Sequence, residues 1–112
     1  MSDLGARATR LLAAFAACDL ETVEAMCAAR VLVYGTDRGE RWEDRRSLLA
    51  ALEPMRALGL SAAWVEPPTI GPAWVAGVAL YKGAEMDPTE VRVTMAFEED
   101  RLAHGHFSVE VD

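Results

Sequence analysis

Apolar residues recur at helical spacing through the first half of the chain and at alternate positions through the second. The pattern predicts helices first and sheet last. Leu4, Ala8, Leu11, Leu12 and Phe15 fall three or four residues apart, which marks one face of a helix over residues 3–17, with Asp3 as its cap. A second helix starts at Asp19, where Asp19-Leu20-Glu21-Thr22 sets an acidic cap ahead of Val23, Met26 and Cys27. Val31 to Gly35 is short and rich in β-branched residues, a strand, and Thr36 to Arg41 is a turn-rich loop. A third helix over residues 43–58 presents Leu48, Leu49, Leu52 and Met55 on one side. Pro54 should kink or shorten it, and Gly59 is placed to stop it.

The remainder predicts strands over residues 60–66, 73–82, 90–98 and 102–111. Pro67-Pro68, Gly71-Pro72, Asp87-Pro88 and Glu99-Asp100 punctuate them. Connections this short favour antiparallel neighbours. The expected fold is α+β, a single domain over residues 1–112, with three helices in the N-terminal half packed on a strongly curved antiparallel sheet. Composition agrees: 112 residues that are 52% hydrophobic can bury one core. A net charge of −7 argues against a nucleic-acid partner, which needs a basic patch. No apolar run approaches the ~20 residues that span a bilayer, so no membrane partner is expected. The N-terminal residues lack a secretory pattern, and the expected location is cytoplasmic. Cys18 and Cys27 fit neither a zinc knuckle nor a redox pair and read as small buried hydrophobes.

The ordered set of elements resembles the nuclear-transport-factor-2-like superfamily and, within it, SnoaL-like and ketosteroid-isomerase-like domains. Leu11 to Leu20 resembles the end of that family's first helix and the Asp-Leu start of its second. Val31 to Tyr34 resembles its first strand. Gly39 to Trp42 before Leu48 to Leu52 resembles its loop and third helix, and Asp100 to His104 its last turn and strand. The resemblance implies a cystatin-like cone with a pocket between helices and concave sheet, often dimeric through the outer sheet face. It hosts isomerases, dehydratases, cyclases, hydrolases and non-catalytic binders, so fold alone does not fix function. Isomerase members use a helix-one tyrosine, an aspartate base ending the first strand and a protonated aspartic acid on a later strand. In this chain Leu11, Gly35 and Val93 stand at those places, so steroid-isomerase groups are missing.

Strand alternation then sorts the residues by face. Val93, Met95 and Phe97 share one face. Phe107 and Val109 join them on the concave side with Leu11 and Phe15, and Trp42 sits at the mouth. These eight residues are the candidate ligand-binding set, although the same side chains would also serve as ordinary core. His104 and His106 fall on the opposite, convex face with Ser108 and Glu110. A His-x-His pair can offer two imidazoles to a metal, but the chain has no further histidine to complete a site, and no metal or cofactor is assigned. Along residues 74–81, Trp74, Ala76, Val78 and Leu80 alternate with Val75, Gly77, Ala79 and Tyr81, so both faces are apolar and both need cover. Helices cover one face. A second copy is expected on the other, making a homodimer through the outer sheet.

Polar candidates cluster near the end of the first strand: Tyr34, Asp37, Glu40 and Arg41. A carboxylate beside an apolar cavity can have its pKa raised and work as acid or base, which makes Asp37 and Tyr34 the candidate catalytic groups. A solvated turn with an Asx-type bond at Asp37 explains the same residues. Three readings follow. The first is a dimeric domain holding a small apolar molecule. The second is a general acid–base enzyme acting on a lipophilic carbonyl compound or epoxide. The third is a protein-interaction module whose cone is filled by its own side chains.

Overall fold

The structure is a computed structural model and describes residues 3–37 and 39–109. The expected continuation of the last strand to Val111, and Glu110 beside the histidines, lie outside the described residues.

Carboxylate caps start all three helices. Asp3 accepts from the Ala6 N–H at 3.1 Å ahead of α1 (Leu4–Ala17). Asp19 accepts from the Thr22 N–H at 3.3 Å and the Thr22 hydroxyl at 2.7 Å ahead of α2 (Leu20–Met26). Asp44 accepts from the Ser47 N–H at 2.7 Å ahead of α3 (Arg45–Leu52). Each cap satisfies N–H groups that a helix start leaves without an intrahelical partner. The expected third helix of residues 43–58 divides: α3 ends at Leu52 and a 3-10 turn continues over Glu53–Leu58. Pro54 has no N–H to give to the α-helical ladder, and Gly59, at φ 60°, ends the turn in the left-handed region.

The sheet is assembled from β1 (Cys27–Tyr34), β2 (Arg41–Trp42), β3 (Ser61–Trp64), β4 (Thr69–Ile70), β5 (Trp74–Gly83), β6 (Met86–Glu98) and β7 (Arg101–Val109). Its order is β2-β1-β7-β6-β5-β3, with β4 also paired to β5, in a curled sheet that does not close. Every pairing is antiparallel except β1 with β7, which is parallel. Short turns join the antiparallel neighbours. The β1–β7 pair forms between the first and last strands, so its direction is set by the path of the whole chain.

β1 also begins earlier than expected, at Cys27 rather than Val31. The Arg45 guanidinium donates to the carbonyls of Glu24 at 3.4 Å and Cys27 at 3.1 Å, so a tertiary contact from α3 satisfies the end of α2. The core lies between α1–α3 and the concave face. Leu11, Val23, Val31, Leu48, Met95 and Leu102 are all wholly shielded from solvent.

Candidate functional site

Register fixes which residues look inward. Val91 pairs with Ala79 on one side and Val109 on the other, Val93 pairs with Gly77 and Phe107, and Thr89 pairs with Tyr81. Directly opposed residues share a face. Toward the β6–β7 turn, Val93, Met95 and Phe97 are buried, with Leu11 in the same core cluster. Toward the other end of these strands the walls separate and leave a cavity of about 270 Å³.

Phe15, Trp42, Phe107 and Val109 of the expected ligand-binding set line this cavity. Leu11, Val93, Met95 and Phe97 do not. They belong to the packed part of the same concave face, and Leu11 and Met95 have no accessible surface. Phe15 and Phe107 meet edge-to-face with ring centroids 5.2 Å apart, which joins α1 to β7 across the cavity wall. Further apolar lining comes from Leu48 and Leu52 of α3, Met55 of the 3-10 turn, Leu60 ahead of β3, and Met86 and Val91 of β6, with Ala16 and Val33 beside them. Sequence reading places Leu48, Leu52 and Met55 on one helical face. Which residues pack and which leave space depends on how far the helices stand off the sheet, and alternation carries no such information.

The polar groups of the cavity come from two places. One is the loop after β1, where Gly35, Thr36, Asp37 and Glu40 reach the lining. That loop is closed by three bonds: Gly35 N–H to the Glu40 carbonyl at 3.1 Å, Glu40 N–H to the Asp37 carbonyl at 3.1 Å, and Asp37 N–H to Glu40 Oε1 at 2.9 Å. Asp37 is exposed and Glu40 half-buried. The second place is the far wall, where Tyr81 and Thr89 face inward from β5 and β6. Burial pushes the Tyr81 phenol well above its ordinary pKa, and the nearby Cys18 adds to the shift, so Tyr81 presents a neutral O–H. Tyr81 shares the inward parity of Val75 and Ala79. An aromatic hydroxyl at such a position is the signal by which sequence reading could have found it.

Tyr34, the other expected catalytic candidate, lies elsewhere. It pairs with His106 across the parallel ladder, and its ring sits 5.5 Å from the His106 ring and 5.7 Å from the His104 ring. The Arg41 guanidinium stands 5.9 Å from the centre of the same ring and also pairs with Glu43. Tyr34 and both histidines occupy the outer face and are absent from the cavity lining. The β6–β7 register skips Ala103, since Phe97 pairs with Leu102 and Ala96 with His104. That bulge precedes both histidines and leaves their parity outward. Among the described residues, no three His, Cys, Asp or Glu side chains gather as a metal site. No helix among them is long and apolar enough to cross a membrane.

The sequence matches the SnoaL-like domain family over residues 5–112. No curated protein sequence matches this chain. Solved structures resemble it over nearly its full length. An uncharacterized cystatin-fold protein from Novosphingobium aromaticivorans superposes with a TM-score of 0.76 at 16% identity, covering 96% of this chain and 98% of the other. An LEH-like epoxide hydrolase from M. tuberculosis superposes with a TM-score of 0.76 at 15% identity, covering 98% of this chain and 83% of the other. A candidate polyketide cyclase from Sinorhizobium meliloti superposes with a TM-score of 0.74 at 16% identity, covering 96% of this chain and 94% of the other. At such identities the likeness is one of fold. With the family matched from α1 through the last strand, the chain belongs to the SnoaL-like domain family of the nuclear-transport-factor-2-like superfamily.

Proposed function

We propose that this SnoaL-like domain holds a small, largely apolar molecule in the cavity between its helices and the concave sheet, and does so as a homodimer joined through the outer sheet face. The cavity carries the reading. Its volume of about 270 Å³ is near the lower end of small-molecule sites, its walls are aliphatic and aromatic, and its polar groups stand at two defined places. A domain whose cone served only as core would close this space, because empty apolar volume is destabilising.

For the dimer, the support is the composition of the outer face. Trp74, Ala76, Val78 and Leu80 alternate outward along β5, and Trp74 keeps 40% of its surface exposed in the single chain. Covering such a row removes apolar area from water.

A second reading is general acid–base chemistry on a lipophilic carbonyl compound or epoxide, and one observation favours it. The cavity has carboxylates at its mouth, Asp37 and Glu40, and a neutral phenol on the far wall, Tyr81. A base and a hydrogen-bond donor facing one apolar space are the parts such chemistry needs. The epoxide hydrolase and candidate cyclase among the structural neighbours agree with that class. Steroid-isomerase chemistry lacks support, since Leu11, Gly35 and Val93 stand where the resembled isomerases carry their acids and base.

The test is binding without a presumed substrate. Gently purified protein is denatured and its extract analysed by mass spectrometry for retained small molecules. In parallel, a neutral naphthylamine dye is titrated and followed by fluorescence. The expected result is saturable dye binding that Phe107→Trp weakens by filling the cavity. Absence of saturable binding in a folded protein would remove the proposal.

A further inference from the structure

Glu40 is held where no side chain of the first strand can be. Gly35, the residue that follows β1, has no Cβ, and a methyl added there would overlap the Glu40 carboxylate, with Glu40 Cβ only 2.9 Å away. The space beside the strand end is therefore filled from across the loop. The Asp37 N–H fixes Oε1 at 2.9 Å, and Glu40 is one of the residues that line the cavity.

The charges around it have one sign. Asp37 and Glu40 are both acidic, and among the described residues lining the cavity there is no basic side chain. Phe15, Trp42, Tyr81 and Phe107 add aromatic rings to the walls. An anionic ligand would meet carboxylates with no described cation to offset them. An organic cation would find acidic residues and aromatic residues lining the same space.

We propose that Glu40 selects the occupant of this cavity, and that the occupant is an apolar amine bound as its ammonium. This rests on the binding reading above and adds the charge class of the ligand and the residue that sets it. Gly35 is a positioning residue in the same arrangement: its missing side chain lets Glu40 lie against the strand end. Asp37 contributes its backbone N–H as the anchor.

Three probes with one ring and different charge at neutral pH test this: benzylammonium, benzyl alcohol and benzoate, each titrated while protein amide shifts are recorded by NMR. Benzylammonium should bind tightest and benzoate weakest. The two should differ by roughly tenfold or more, since a carboxylate attracts the ammonium through a charge-assisted hydrogen bond and repels the benzoate. Glu40→Gln keeps an oxygen for the Asp37 N–H and removes only the charge. It should cost benzylammonium roughly tenfold and leave benzyl alcohol unchanged. Gly35→Ala, which displaces Glu40 without altering any charge, should reproduce that selective loss. Glu98→Gln, an equal change in net charge at an exposed position on β6, should leave all three affinities as they were.

Benzoate binding as well as benzylammonium would overturn the inference while leaving the pocket reading intact, as would a silent Glu40→Gln beside a sensitive Asp37→Asn. Failure of all three probes to shift any cavity residue would remove both the inference and the reading beneath it. The wild-type ranking needs no variant, so poor folding of Gly35→Ala leaves the test standing.

Discussion

Cys27 and Tyr81 hold their protons more tightly in the folded chain than an exposed thiol or phenol would. Burial raises the Cys27 thiol to about 12, against a smaller opposing pull from Arg45. Burial also raises the Tyr81 phenol, with a smaller contribution from Cys18. Below the unfolded values both groups are protonated in either state and contribute nothing pH-dependent. Above ~8.5 for the thiol and ~10 for the phenol, the unfolded chain ionises first and the native state loses stability as pH rises. Asp19 and Asp44 give the opposite limb. Hydrogen bonds from Thr22 and Ser47 lower their pKa values, so their stabilisation is present above pH ~4 and fades as pH falls through the folded values. Urea denaturation should therefore show a plateau of stability between these limits, with Cys27→Ala flattening the first part of the alkaline decline. At the same scale, Leu11→Ala empties a fully buried site in packed core away from the cavity. It should cost about 2–5 kcal/mol in a denaturant titration while sparing ligand affinity in the refolded protein.

Among the elements, β7 was the most legible in sequence from His104 to Val109, where alternation about Phe107 settles which face each residue takes; at Ala103 the bulge turns Leu102 into the core, which alternation does not show. The histidines accordingly lie outside with Tyr34. Replacing His104 and His106 together with Gln should leave dye affinity in the cavity unchanged, and a change beyond measurement error would show that the outer face couples to the pocket. Less legible was the start of β1. Ala28, Ala29 and Arg30 have high helical propensity and no strand pattern, and the chain becomes extended there while Arg45 holds the end of α2. The two-residue β4 was invisible for a different reason, since Thr69-Ile70 is too short to carry a period. Within the candidate site, Phe15 and Phe107 could be read from helical spacing and strand parity, and Trp42 only from its place after the loop that follows β1. Glu40 was visible as one polar residue of a loop. Its lodging against Gly35 was not, because that depends on the fold of a turn whose closing bonds run from backbone to backbone and side chain.

For the whole molecule, the order of helices and strands indicated an α+β cone. The parallel β1–β7 seam needed coordinates, because no short connection dictates it. Assembly is the corresponding expectation for the outer face. Sedimentation at micromolar concentration should give a dimer, and Trp74→Glu should shift it to monomer without loss of helical circular dichroism, because a carboxylate in a covered apolar row costs desolvation. A wild-type monomer under these conditions would remove the dimer proposal.

The cavity has walls from α1, β1 and its loop, α3, the 3-10 turn, β5, β6 and β7. No fragment of the chain contains a usable share of it. On the proposed binding, occupancy and folding are one linked equilibrium, in which a ligand that recognises only the assembled walls acts as a stabiliser of the entire chain. At a free concentration a hundred times its dissociation constant, such a ligand adds about 2.7 kcal/mol to global stability. Amide hydrogen exchange should then slow in α1 and β6 as well as at the cavity mouth, so that a molecule bound at one end of the cone is read out across its full length.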